Sequence, residues 1–311
     1  MSPAALLQAD ARASGRVRTP AGLELHWEAR GPRDAPPLLL IPGIGMQLVH
    51  WPEGFLAELE ARGLRLILID NRDAGLSDKV QASVPPIWPM IARGLLGLEV
   101  QAPYRLRDMA DDVAHVIEAL ELASPEQGPP AVLGISMGGM IAQLLALRHP
   151  ERVGQLTLLS TTSGARQHRP QLRAVRALVG RASRTREESV ARSVACMRTI
   201  GSPAYVYDAQ SQARRSGLAF DRCNCPAGFG RQLAAICASG DRVTALRSLR
   251  HETLVLHGEQ DPLIPVSAGR ELGELIPEAK LVTLAGWGHD LPGPLWGTLA
   301  DAIGAHVSAR T

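Results

Sequence analysis

Short apolar runs recur along the chain, separated by stretches in which apolar residues return every third or fourth position. Leu38-Leu39-Leu40-Ile41, Leu64 to Ile69, Val132-Leu133, Leu156 to Ser160, Thr253 to His257 and Leu281 to Leu284 are runs of the first kind. Such runs predict strands covered on both faces. Leu23 to Glu28 alternates instead, as a strand with one solvated face does. The 3.6-residue rhythm of Leu106, Met109, Val113, Val116, Ile117 and Leu120 predicts a helix with one buried stripe, and Pro52 to Arg62 and Leu295 to Val307 predict two more. Met140, Ile141, Leu144, Leu145 and Leu147 belong to a more deeply buried helix. With Leu23 to Glu28 belonging to a hairpin ended by Pro36-Pro37, strand and helix alternating in this way predict an α/β fold: a mostly parallel eight-stranded sheet with helices on both faces.

The rhythm fails in three places. Residues 1–15 have no clear period and are expected to be a poorly ordered extension. Residues 79–104 are apolar but broken by prolines and glycines, which predicts a long loop with a short helix. Beside the active face its Trp88 and Met90 are either pocket wall or core packing. Between 165 and 249 strands vanish and arginine-rich helical segments take over, at Leu172 to Gly180, Arg186 to Met197 and Phe229 to Ala238. This stretch is expected to be a helical cap inserted into a core formed by 16–164 and 250–311.

Composition narrows the function classes. With 311 residues, 45% of them hydrophobic, and a net charge of +2, the chain can bury one substantial core. Aromatic residues make up only 4% and the arginines are scattered, so neither the stacking platform nor the basic stripe of a nucleic-acid binder is present. The first ten residues lack a basic start and a long apolar run, and no run reaches membrane-spanning length, so a cytoplasmic protein without a membrane partner is expected. Cys196, Cys223, Cys225 and Cys237 fall in one region. Their C-x-C spacing does not match a zinc site, and reduced thiols are expected.

The chemistry centres on Gly134-Ile135-Ser136-Met137-Gly138, at the end of a buried strand and the start of a helix. This G-x-S-x-G pattern is a nucleophile elbow: a strand turning abruptly into a helix strains the serine backbone and crowds the residues two before and two after it. A serine hydroxyl needs a base oriented by a carboxylate. His289 lies in the glycine-flanked loop after the last strand, and Asp261 in the turn after the preceding one, so the chain order is Ser136, Asp261, His289. Asp261 is preferred to Glu259 because Pro262 fixes its turn, and Asp290 adjoins the base too closely to orient it. His50, His149, His251 and His257 read as structural or surface groups. Two backbone amides are needed to hold an oxyanion. Met137 follows the nucleophile, and Ile44 sits between Gly43 and Gly45 past the strand 38–41, with Gly45 as second choice. Gly43, Gly45, Met46, Trp88, Met90 and Trp287 are candidate pocket residues. No metal or cofactor is required by this chemistry.

Pro42 to Gly45 with Trp51-Pro52, Asp70 to Ser77, Gly134 to Gly139, Gly258 to Pro262 and Gly288-His289 together resemble the α/β-hydrolase superfamily, and within it bacterial hydrolases related to aclacinomycin methylesterase. Pro42 stands where the family commonly has histidine before the glycine. The resemblance implies a cofactor-independent serine esterase acting on small to medium or methyl esters. The same motifs serve C–C bond hydrolases, lactonases, cofactor-free perhydrolases or haloperoxidases, and ligand receptors built on this fold. The acyl and alcohol groups, and the choice between monomer and homodimer, are not written in the motifs.

Overall fold

A computed structural model describes residues 2–9, 11–124, 127–180 and 182–309. In chain order its elements are α1 (Pro3–Ala9), β1 (Ala13–Arg18), β2 (Glu24–Arg30), β3 (Pro37–Ile41), α2 (Glu53–Ala61), β4 (Arg65–Ile69), α3 (Ile87–Leu95), α4 (Leu106–Ala119), β5 (Ala131–Ile135), α5 (Met137–Arg148) and β6 (Leu156–Leu159). There follow α6 (Leu172–Leu178), α7 (Arg186–Ile200), α8 (Ala209–Arg222), α9 (Pro226–Ala238), α10 (Val243–Leu246), β7 (Thr253–Gly258), α11 (Val266–Leu275), β8 (Lys280–Leu284) and α12 (Trp296–Ser308). The strands form one eight-stranded sheet in the order β1-β2-β4-β3-β5-β6-β7-β8. Pairing is antiparallel from β1 through β2 to β4 and parallel from β4 to β8.

The buried strands carry apolar side chains on both faces because both faces are covered. Leu39, Ile41 and Val132 pack with α4, α5 and α11, while Leu38, Leu40 and Leu133 pack on the opposite face with Phe55 and Leu59 of α2 and Leu299 and Ile303 of α12. A smaller apolar cluster, Met90, Val100, Val179, Leu233 and Ala234, joins α3 to α6 and α9. Stacking strands in parallel brings their C-terminal ends to one edge of the sheet, where ligand sites of such folds form.

The N-terminal stretch departs from its expectation. Residues 3–9 are helical, Leu7 is buried, and Ala13–Arg18 is an edge strand paired with β2 along its whole length. The strand carries Ala, Ser, Gly and Arg in place of a visible alternation, so its pairing comes from the edge that β2 offers and its pattern could not announce it. Met1 and Asp10 lie outside the described residues, as do Arg181 of the expected cap and Arg310 and Thr311 of the core. The helix α8 is also unannounced: its buried face is Gln212, Ser216, Gly217 and Ala219, small or polar residues that leave no apolar stripe.

Candidate active site

The turn from β5 into α5 places Ser136 at φ 54°, ψ −120°, a conformation that L-residues avoid. It is tolerated because the neighbours leave no room for anything else. A Cβ on Gly134 would fall 2.3 Å from the Gly138 carbonyl oxygen, and one on Gly138 would fall 2.0 Å from that of Ile41. The elbow is further tied by the Thr161 hydroxyl, which donates to the Ser136 carbonyl at 2.7 Å, and by the Ser136 amide on the Leu159 carbonyl at 3.0 Å. The side chain is thereby lifted above the sheet edge.

There it meets the loops after β7 and β8. His289 Nε2 is 3.1 Å from Ser136 Oγ, and His289 Nδ1 is 2.6 Å from Asp261 Oδ2. With Nδ1–H donating to the carboxylate, Nε2 is left to accept the serine proton. The other oxygen of Asp261 accepts from the amides of Leu263 and Ile264, both at 2.8 Å, so the turn before Pro262 fixes the carboxylate. Burial pulls the His289 pKa down, but the charge and hydrogen bond of Asp261 outweigh it, and the net shift is upward. Glu259, the rival carboxylate, instead accepts from Thr283. Asp290 accepts from Ser202 Oγ at 2.5 Å, and burial raises its pKa. His257 is buried against the Ile264 carbonyl and lies 3.8 Å from Asp261; His149 engages Asp111, and His251 the Pro150 carbonyl.

Met137 is the first residue of α5, so its amide has no intrahelical acceptor. Among the described residues neither that amide nor the amide of Ile44 meets a protein acceptor. The Gly45 amide is committed: it donates to Gln232 Oε1 at 2.8 Å. Gly45 also faces a separate polar cleft with Cys223, Cys225 and Phe229, so of the two first-loop candidates only Ile44 has a free donor at the cavities bordered by Ser136.

Two cavities meet at Ser136 and Ile44. The first, about 340 Å³, is bordered by His289, Gly43, Met46, Ile200, Leu291 and Trp296, with His50, Tyr207 and Arg215 among its polar lining. The second, about 560 Å³, is bordered by Met137 and Met140 and runs between α3, α6 and α9. Four expected pocket residues border neither, and one of them is Gly45, which lines the separate polar cleft. Trp88 is 50% exposed on the outer side of α3, Met90 is buried in the α3–α6–α9 cluster, and Trp287 is fully buried with its indole nitrogen donating to the Asp290 carbonyl. Large apolar side chains are equally at home in core and pocket, and sequence does not separate the two. The pocket contribution of residues 79–104 comes from Ile91, Gly94, Leu95 and the run 97–100.

Several residues of the site gave no sequence signal. His50, read as a surface group, borders the first cavity; its Nδ1 accepts from the Gln47 amide, and burial lowers its pKa to about 4, which keeps it neutral. The His289 loop is held from the helical side: the His289 amide donates to the Ile200 carbonyl at 2.8 Å, and the Ser202 hydroxyl both accepts from Gly288 and donates to Asp290. The four cysteines are free thiols. No helix among the described residues is long and apolar enough to cross a membrane.

The sequence model of the alpha/beta hydrolase fold matches residues 36–292, most of the chain and all of this site. The chain belongs to the α/β-hydrolase family. Among its relatives are rhodomycin D methylesterases of Streptomyces sp. (strain C5), 26% identical over 90% of this chain and 93% of that protein, and of Streptomyces peucetius, 27% identical over the same shares. A solved esterase from Rhodococcus sp. superposes with a TM-score of 0.71 at 23% identity, covering 97% of this chain and all of the other, which is a likeness of fold. These relatives support assignment as a hydrolase.

Proposed function

We propose that this α/β hydrolase cleaves carboxylic esters through an acyl-enzyme on Ser136. The observation that carries the reading is the hydrogen-bonded line Ser136–His289–Asp261, with two free amides beside it, at the junction of two cavities. Ser136 Oγ attacks the ester carbonyl carbon as its proton passes to His289 Nε2. The carbonyl oxygen becomes an anion held by the amides of Ile44 and Met137. The ester C–O bond then breaks, and the leaving alkoxide takes the proton from His289. A water molecule, deprotonated by the same nitrogen, attacks the acyl carbon and frees the acid and Ser136. Asp261 keeps the imidazole in the right tautomer and stabilises its charged form.

The proton path also assigns the two cavities. The leaving oxygen must sit beside His289, so the alcohol occupies the first cavity, which His289 borders. The acyl group then occupies the second and larger cavity, on the Met137 side. A large acid joined to a compact alcohol is the arrangement these sizes favour, and the methylesterase relatives are consistent with it. In this reading α6 to α10 act as the cap that closes both cavities from above.

The test is hydrolysis of p-nitrophenyl esters from acetate to laurate and of the methyl ester of a bulky acid, by wild type and by Ser136→Ala. A chain-length optimum that disappears in the variant supports the mechanism. Wild-type turnover retained by Ser136→Ala overturns it.

A further inference from the structure

Arginine is usually tied to a carboxylate in this protein when it is buried. Arg72 pairs with Asp112, Arg231 with Asp73, Arg222 with Asp70 and Arg30 with Glu60. Buried Arg242 departs from that habit, and it borders the second cavity together with half-buried Arg105 and exposed Arg166. Arg242 is 5% exposed, yet its guanidinium donates only to Gln143 Oε1, the Thr162 carbonyl and the Gly240 carbonyl. Arg105 donates to the Ala238 carbonyl at 2.5 Å. Arg166 lies across the Gly97 turn, where a Cβ would meet its Nη1 at 1.7 Å, and it has no acceptor among the described residues. None of the three has a carboxylate oxygen within 4.0 Å among those residues, although Glu99 and Asp241 also border the cavity.

Neutral acceptors satisfy hydrogen bonds and leave charge uncompensated, and a desolvated cation without a counter-ion is costly. Burial accordingly pulls the Arg242 pKa down to about 10. Such costs are concentrated where a ligand repays them. Much of the remaining wall is apolar: Ile91, Leu95, Val100, Val179, Leu233 and Ile236 lie along it, and Ser136 borders it as well.

We propose that this cavity takes an acyl group whose far end carries a carboxylate, held by Arg166, Arg105 and Arg242, so that the substrate is a monoester of a dicarboxylic acid. The proposal rests on the ester-hydrolase reading, with the acyl group in the second cavity. The guanidiniums act on binding and orientation and take no part in bond making. Arg166 is the best probe because no hydrogen bond among the described residues depends on it.

The experiment compares kcat/KM for mono-p-nitrophenyl esters of adipic, suberic and sebacic acid with the uncharged p-nitrophenyl alkanoates of equal chain length. In parallel, thermal shift measures the binding of free suberate. At one chain length the acidic ester should exceed its neutral partner by about tenfold, the size of one well-placed charge-assisted hydrogen bond. Arg166→Gln and Arg105→Gln should each cut that ratio severalfold, through KM more than kcat, and should weaken suberate binding. Equal or better turnover of the neutral esters at every length, with no Arg166-dependent binding of suberate, overturns the proposal and leaves ester hydrolysis standing. The converse result, suberate bound in an Arg166-dependent way and no ester turned over, overturns the ester reading and keeps the anion site.

Discussion

The sheet and the helices laid over its C-terminal edge are built on different principles. The sheet is held by continuous apolar strands packed between two helical layers, and Leu38 to Ile41 or Leu66 to Ile69 could be exchanged for other large apolar residues at modest cost. The helical segment between β6 and β7 is fastened to the sheet loops by buried polar groups. Gln47 donates to the carbonyls of Ala219 and Cys223, Gln232 accepts from Gly45 and donates to Arg72, and Arg231 pairs with Asp73. In the proposed mechanism the nucleophile and the acid–base pair belong to the sheet loops and their surroundings to the helices, so the first region would govern whether a bond breaks and the second which bond.

The sharpest way to separate the two is to remove the reacting group and leave the scaffold. Ser136→Ala and His289→Ala should each lower kcat by about 10⁴- to 10⁶-fold with an unchanged unfolding transition. A drop of less than about a hundredfold in either would mean that the sheet edge does not supply the chemistry. Gly138→Ala tests the scaffold directly. Its Cβ would collide with the Ile41 carbonyl, so a loss of about 3 kcal/mol or more is expected, seen as a large fall in soluble, folded protein.

The pH profile sharpens the comparison further. His289 must be neutral to accept the serine proton, so kcat/KM should rise with pH through an apparent pKa above the ordinary histidine value of 6.5. Asp261→Asn removes the larger raising influences and leaves burial opposed only by the smaller one of the Asp290 charge. The acid limb should therefore shift below 6.5 while kcat falls by about 10⁴-fold. Stability runs the other way. The charged His289–Asp261 pair contributes fully below the unfolded pKa, and that contribution is lost as pH rises through the raised folded value. An acid limb that stays in place in Asp261→Asn would assign the shift to some other group.

Smaller effects are expected where the helices reach down to the sheet. Ser202 bridges Gly288 and Asp290 across a separation of 86 and 88 residues. Ser202→Ala should lower kcat/KM several-fold by loosening the His289 loop, at a stability cost of about 1 kcal/mol. This contact also marks the limit of what sequence discloses. That Ser136, Asp261 and His289 come together was legible because each stands just past a predicted strand, flanked by glycine or proline. Ser202 and Gln47 lie in segments without periodic pattern and Gln232 in a predicted helix, and the partners of all three are fixed only when the helices dock. The edge strand β1 and helix α8 were hidden for the same reason: few apolar side chains direct them, and their place is set by what they pack against.

The least perturbing change bears on residues 79–104, where large apolar side chains were open to two readings. Trp88 is half exposed and borders neither cavity, whereas Met90, two residues on, is 2% exposed among Val100, Val179 and Leu233. Trp88→Ala should therefore leave both the unfolding midpoint and the acyl chain-length profile where they are. Met90→Ala should cost about 2–4 kcal/mol by opening a hole between α3 and α9, a wall that the second cavity shares. A chain-length optimum displaced by Trp88→Ala would show that the Trp88 face of α3 meets substrate after all.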